Sequence, residues 1–330
     1  MSNRGAFGLL VISWVLLCLG PASADGLWVK GNTHAHSTLS DGNVPPEQVA
    51  QWFREHGYGF VFLTDHNTLA PIDFFAAHSD AAFLILPGEE LSDGGPEGIF
   101  AVHTNSLGIA EPLKAAQADT VEGRLLGDAE VVRRAGAVLQ VNHPSFHARD
   151  PQAVAKVPDP FLIEVYNHSV GLSPYGKLAQ VLFEKAWDAA LTAGKKAFGV
   201  ASDDCHDYSG RPDSRSSPGG GWIMVRVAAL TAEEVLRSLA AGQFYSSTGV
   251  ELDEISFDGA TFRLHISPQP EVTYTTHFIG MEGKVLASVE GSSPQYTLTG
   301  APEETYVRAR VEASNGAQAW TQPIWPARGD

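Results

Sequence analysis

The sequence predicts an α/β protein: a closed or distorted βα barrel over residues 25–247, then a small all-β sandwich over residues 248–330. Three observations lead there. Apolar strand-like runs alternate with helical stripes along the first part of the chain, as in a mostly parallel sheet. Histidines and acids collect just after those runs, at the end where βα barrels keep their sites. Beyond residue 248, amphipathic helices give way to short alternating segments separated by Gly and Pro turns, the pattern of an antiparallel sandwich. An open doubly wound sheet is the alternative for the first part, since it follows a similar rule.

Trp28 to Thr33 is a short strand that delivers His34 at its end. Pro45 and Pro46 suit a helix start, Val49, Ala50 and Phe53 form its apolar stripe, and His56-Gly57 ends it. Phe60 to Leu63 reads as a strand buried on both faces and leads into Thr64-Asp65-His66. Phe83 to Leu86 leads to Gly88-Glu89, and Ile99 to Val102 leads to His103. After a helix over Ala129 to Ala135, Ala137 to Val141 leads to Asn142-His143-Pro144, and Phe161 to Tyr166 leads to Asn167-His168. A longer helix spans about Lys177 to Thr192, and Lys196 to Ala201 leads to Ser202-Asp203-Asp204-Cys205-His206. Trp222 to Val225 is a strand, and Thr231-Ala232-Glu233-Glu234 is a capping box that opens a helix through Leu239. Gln243 to Tyr245 is the last short strand of this part. The sandwich strands are Thr261 to Ile266, Val272 to Ile279, Gln295 to Leu298 and Tyr306 to Ala313, with Tyr274, Phe278, Trp320 and Trp325 read as core in preference to a glycan-binding face.

Residues 1–24 read as an export leader: Arg4, an apolar run from Ala6 to Gly20, then the small residues Ala22-Ser23-Ala24 at a cleavage site. The run is short for a membrane span. The expectation is an exported protein, periplasmic or secreted, with no stable span after cleavage. Cys205 is then the one remaining cysteine, so no internal disulfide can form. A net charge of −16 repels phosphate backbones, which argues against long nucleic acid as a partner. A small anionic substrate requires bound cations that reverse the sign locally.

His34 and His36 are two apart, which on an extended strand puts both imidazoles on one face. With them, His34, His36, Asp41, His66, Glu89, His103, His143, Asp204 and His206 all fall at or just beyond strand ends. Carboxylates gathered in one pocket repel one another unless cations intervene. Nitrogen and carboxylate donors of this kind suit zinc, manganese or iron(II), and the number of groups is enough for two or three ions.

These residues resemble the PHP (polymerase and histidinol phosphatase) metal-dependent phosphoesterases over about residues 28 to 245. The matching motifs are His34-Ala35-His36-Ser37 with Ser40-Asp41-Gly42, Leu63-Thr64-Asp65-His66, Gly88-Glu89, His103, Asn142-His143-Pro144 and Ser202-Asp203-Asp204-Cys205-His206. The resemblance implies a distorted seven-stranded barrel with up to three metals at its C-terminal mouth. His34, His36, Glu89 and Asp204 would hold the first metal and carry catalysis. Glu89 would bridge to a second, bound also by His103 and His143. Asp41, His66 and His206 would hold a third, although some members have histidine where Asp41 stands. The implied reaction is hydrolysis of a small phosphomonoester, of the nucleotide or sugar phosphate class, by a metal-bridging hydroxide.

Asp65 and Asp203 are candidates for orienting a neighbouring ligand, and Asp203 also for helix capping. Glu164 and His168 either face the mouth and touch substrate or lie on a solvated rim. Arg149, Arg211, Arg215 and His147 fall in loops after strands, and Cys205 reads as a packed thiol. His56, His78, His265 and His277 read as structural or exposed. Two other classes stay open. One is an amidohydrolase-like metal hydrolase of an amide or ester bond, although its usual bridging lysine is absent and Glu89 takes that place. The other is a non-catalytic binding protein stabilised by its metals.

Overall fold

The computed structural model describes residues 26–93, 102–144, 151–173, 176–211 and 216–327. The leader, the stretch 99–101, His147, Arg149 and Arg215 lie outside the described residues. The strands are β1 Leu27–Asn32, β2 Phe60–Leu63, β3 Leu84–Asp93, β4 Val102–Leu107, β5 Val138–Val141, β6 Phe161–Asn167, β7 Ala197–Ser202, β8 Trp222–Val227 and β9 Phe244–Ser247. Beyond them come β10 Leu252–Phe257, β11 Thr261–Ile266, β12 Tyr274–Ile279, β13 Val285–Glu290, β14 Gln295–Thr297, β15 Arg308–Ala313 and β16 Gln318–Thr321. The helices are α1 Pro46–Glu55, α2 Ile72–Ala77, α3 Val121–Arg134, α4 Pro151–Val154, α5 His168–Gly171, α6 Gly176–Thr192 and α7 Ala232–Ala240.

Thirteen strands form one sheet in the order β13-β12-β15-β16-β9-β8-β1-β2-β3-β4-β5-β6-β7. Strands β1 to β3 run parallel, as do β5 to β7, while β4 is antiparallel to both its neighbours. The α/β class is as expected, and strands β1 to β7 lie side by side in chain order without a full ladder closing them into a seven-stranded barrel among the described residues. Strand β1 pairs with β8 from Leu27 to Gly31, so among the described residues no continuous ladder joins β7 back to β1. The two are linked at the rim through an isolated Ala35–Cys205 bridge. There His36 N donates to Cys205 O (3.0 Å) and Asp204 N to His34 O (3.1 Å). Lower down, Ser246 Oγ of β9 ties to Gly199 O (2.8 Å) and accepts Ala201 N (2.9 Å) of β7.

Strand alternation sorts the side chains into two faces. Phe60, Phe62, Leu86, Leu107, Leu162, Phe198 and Val200 fill the inner face, with Val235 and Leu239 of α7. Val61, Leu63 and Ile85 point outward onto Val49, Ala50 and Phe53 of α1. Each such side chain contributes about 1.5–3 kcal/mol on burial. Helix α3 begins earlier than the sequence suggests, because Thr120 caps it by accepting Gly123 N (3.0 Å).

The expected boundary after residue 247 falls inside a continuous sheet. Strand β9 pairs with β16, setting Ser247, Ser246 and Tyr245 opposite Ala319, Trp320 and Thr321. Strands β15, β12 and β13 extend the same sheet, while β10, β11 and β14 form a separate three-stranded layer. Phe262, Leu264 and Ile266 of that layer share a core with Tyr274, Phe278 and Val311. The C-terminal residues are therefore not a free-standing sandwich. Trp320 packs instead with Trp187 and Leu191 of α6, and Trp325, expected in the core, is 39% exposed.

A buried ion network secures the junction. Arg308 donates from Nε and Nη2 to both Asp188 oxygens (2.8 Å each) and from Nη2 to Glu184 Oε2 (3.0 Å). Tyr306 OH also donates to Asp188 Oδ1 (3.0 Å). Removing one partner of a buried pair leaves an uncompensated charge, at a cost of about 3–5 kcal/mol. Arg308→Ala is expected to lose about that much in urea unfolding, and a loss under about 1 kcal/mol would contradict the role given to this network.

Candidate metal centre

Above the apolar inner face the side chains turn polar. Asn105, Gln140, Asn142, Glu164 and Ser202 are all fully buried. They are linked to one another: Gln140 Nε2 donates to Asn142 Oδ1 (3.0 Å), and Asn142 Nδ2 donates to Asn105 Oδ1 and Glu90 Oε1 (2.9 Å each). Asn105 Nδ2 donates to Thr33 O (2.9 Å), holding the end of β1. The histidines and acids stand on this layer.

Glu90 is the hub. Its Oε2 lies 3.3 Å from Nε2 of both His34 and His36 and 3.0 Å from His66 Nδ1. Its Oε1 lies 3.1 Å from His103 Nδ1 and 3.5 Å from His143 Nε2. Asp204 Oδ1 is 3.2 Å from Nε2 of His34 and of His36. Asp41 Oδ1 is 3.4 Å from His206 Nε2, and its Oδ2 is 3.7 Å from His66 Nε2. Three overlapping donor groups result, each with its atoms within 4.8 Å of one another: His34, His36, Glu90 and Asp204; His66, Glu90 and His103; and His36, Asp41, His66 and His206. The first is buried, whereas the Asp41 side chain is 54% exposed, so the last opens to the mouth.

Eight of the nine expected residues thus converge, and the ninth, Glu89, does not. Strand β3 continues through Pro87 and Gly88 to Asp93, and its ladder to β4 sets Glu89 opposite Ser106 and Glu90 opposite Asn105. Neighbours on a strand face opposite sides. Leu84 and Leu86 face inward, so Glu90, of the same parity, enters the centre. Glu89 turns outward, where it accepts Leu113 N (2.8 Å) and burial raises its pKa. Sequence reasoning missed Glu90, and this parity is the signal that finds it.

The electrostatics are those of a site built around positive charge. Burial opposes charging of His34, yet Asp204, Glu90 and Glu164 outweigh it and hold its pKa well above the usual value. Burial likewise opposes ionisation of Glu90 and Asp204, but His34 and its neighbours keep both far below the carboxylate range. His34 Nε2 and Glu90 Oε2 are buried and make no hydrogen bond although they face each other. Bare imidazole and carboxylate atoms so arranged suit a divalent ion such as zinc, manganese or iron(II). His143 and Asp204 also hold positive φ, 25° and 52°, a strained backbone of the kind concentrated at functional sites.

The remaining candidates surround this centre. Asp65 accepts from N and Oγ of both Ser37 and Ser40 (2.8–3.1 Å), fixing the turn that carries Asp41. Asp203 accepts from Asn32 Nδ2 and from the amides of Gly219, Gly220 and Gly221 (2.7–2.9 Å), and burial raises its pKa to about 6. Glu164 is fully buried, not on the rim, and lies 2.8 Å from His34 Nδ1. His168 sits at the start of α5 against Tyr166 OH (3.2 Å), outside the three donor groups. Cys205 packs outward against Phe53 and Tyr58, and Arg211 is exposed and pairs with Asp207. His56 stacks on Trp52 and His78 packs at a tilt against Phe74, while His265 and His277 lie on β11 and β12.

No protein-family model matches the sequence, and no curated protein matches it. Among solved structures, the fold is similar to a two-domain protein from Bacteroides vulgatus that contains a predicted PHP-like metal-dependent phosphoesterase. The two are 14% identical with a TM-score of 0.50, over 91% of this chain and 96% of the other. A protein from Bifidobacterium adolescentis, provisionally described as a metal-dependent phosphoesterase, is 16% identical with a TM-score of 0.38, over 58% of this chain and 90% of its own. An amidohydrolase from Chromobacterium violaceum, solved with sulfate and no metal, is 16% identical with a TM-score of 0.40, over 54% of this chain and 88% of its own.

Glu90→Gln is expected to lose bound metal and Glu89→Gln to keep the wild-type complement, as read by elemental analysis; the reverse result would reinstate Glu89. A second expectation concerns pH. The raised pKa values of His34, His143 and His206 give the metal-free protein stability that is complete below about pH 6.5 and lost as pH rises through the folded values. His66, lowered by burial, offsets part of this. The depressed carboxylates Glu90 and Asp204 contribute stability above the ordinary carboxylate range that disappears only in strong acid. Metal ligands must be deprotonated, so affinity rises over the interval in which the histidine contribution falls. The Tm of stripped protein is therefore expected to fall as pH rises above about 6.5 while the gain on adding Zn2+ grows; a rising metal-free Tm would contradict the assignment.

Proposed function

We propose, with the PHP-like fold as premise, that this chain is a metal-dependent hydrolase whose substrate is a small phosphomonoester of the nucleotide or sugar phosphate class. The observation that carries this reading is Glu90, one buried carboxylate in contact with imidazoles of three overlapping donor groups. His34, His36, Glu90 and Asp204 would hold a first ion; Glu90, His103 and His143 a second; Asp41, His66 and His206 a third. Ions bound there would polarise phosphoryl oxygens and supply a nucleophile near neutral pH.

The chain's own residues define how that chemistry is housed. The apolar inner face closes the site from below and keeps the reacting groups away from bulk water. Asp41 at the mouth and the buried Glu90 and Asp204 beneath it carry negative charge, which repels a phosphate until it is neutralised. Activity on a phosphate therefore requires the cations. Asp65 fixes the turn bearing Asp41, and so sets how far the outermost group reaches toward substrate.

The test is a substrate panel with Mn2+, Zn2+ or Fe2+ added to stripped protein. Phosphate release from small phosphomonoesters is expected, falling to the buffer blank with chelator, in His34→Ala and in Asp204→Ala. Acyl or amine release without phosphate would move the assignment to an amidohydrolase-like reaction. Metal uptake without turnover on any substrate would indicate a metal-stabilised binding protein.

A further inference from the structure

Strand β6 carries an irregularity beside the centre. Its ladder to β7 pairs Glu164 with Val200 and then Tyr166 with Ala201, leaving Val165 as an extra residue, a β-bulge that re-aims the side chains after it. Residues three apart on a regular strand face opposite sides. Here Glu164 and Asn167 are both buried and meet, Asn167 Nδ2 donating to Glu164 Oε2 (2.9 Å).

Glu164 then contacts four residues at once. Its Oε1 faces His34 Nδ1 (2.8 Å) and accepts Ser202 Oγ (2.5 Å). Its Oε2 accepts His143 N (2.6 Å) as well as Asn167 Nδ2. Asn167 Nδ2 also reaches Asp204 Oδ2 (3.1 Å). One carboxylate with no route to solvent thus ties down His34, His143 and, through Asn167, Asp204.

We infer that Glu164 is a positioning residue that keeps the His34 proton on Nδ1 when a cation is bound, and so leaves Nε2, on the side of Glu90 and Asp204, as the bare donor. An ionised carboxylate only accepts hydrogen bonds, so the ring nitrogen facing it carries the proton. The other nitrogen then keeps its lone pair, and the carboxylate strengthens it as a ligand. That other nitrogen is the one 3.3 Å from Glu90 and 3.2 Å from Asp204. This role for Glu164 rests on the reading of the cluster as a metal centre.

Glu164→Gln tests it at nearly constant shape. The His143 backbone N–H cannot turn away, so it selects the amide oxygen and leaves the amide NH2 toward Ser202 and His34. Ser202 can rotate to accept, whereas His34 must move its proton to Nε2. A folded variant, verified by circular dichroism, is expected to bind Zn2+ roughly tenfold to a hundredfold more weakly in a chelator-competition titration. In Zn2+-loaded wild type, 1H–15N spectra are expected to show an exchange-protected Nδ1–H on His34 that the variant lacks. Wild-type affinity in the variant, or a wild-type His34 protonated at Nε2, would overturn the inference. Should the variant fail to fold, the wild-type spectrum decides alone. A wild type that takes up no Zn2+ would overturn the metal-centre reading together with this one, whereas unchanged affinity in the variant overturns this one alone.

Discussion

Glu90 is a fully buried carboxylate touched by five imidazoles, and the rest of the structure depends on how that contact is stabilised. Removing a charged group from water costs several kcal/mol unless opposite charge and hydrogen bonds replace the solvent. In the protein alone, protons on His34 and its neighbours supply that charge, which is why the pKa of His34 rises while those of Glu90 and Asp204 fall. A divalent cation does the same more fully, because it answers several lone pairs at once. The chemistry proposed for the chain is a consequence of that substitution.

The sheet supports that contact in layers. Inward positions are apolar at the bottom, amide-bearing in the middle and ionisable at the rim. The amide layer hydrogen-bonds upward, Asn142 Nδ2 to Glu90 Oε1 and Asn105 Nδ2 to Thr33 O, so the rim groups stand on oriented partners. The sheet is open along most of the β1–β7 seam, yet the Ala35–Cys205 bridge closes it where His34, His36 and Asp204 must meet. The C-terminal strands extend the same sheet, and Arg308 fastens them to α6. Their contribution to the centre is indirect: they brace β9, which braces β7.

Much of this is legible in the sequence, for local reasons. The apolar runs and the His-x-His spacing report strands and a shared face directly, so the ligand types and most of their positions can be read from them. The adjacent pair Glu89-Glu90 defeats that reading, because Pro87-Gly88 looks like the end of a strand and hides the parity that runs on from Leu84 and Leu86. How β1 meets its far neighbours and how the C-terminal strands join the sheet are hidden for a different reason. The β1–β8 and β9–β16 pairings join segments far apart in the chain, and such pairings leave no periodic trace. The inward turn of Asn167 depends on a bulge, which sequence alternation also does not reveal.

The central claim is that these groups are held together by cations. Anomalous diffraction from crystals soaked in Zn2+ or Mn2+ tests it most directly. At least two peaks sharing Glu90 as a ligand are expected, one of them also within about 2.0–2.2 Å of His34 Nε2, His36 Nε2 and Asp204. Soaked crystals with no anomalous peak among these residues, or with a peak ligated by Glu89 in place of Glu90, would contradict it.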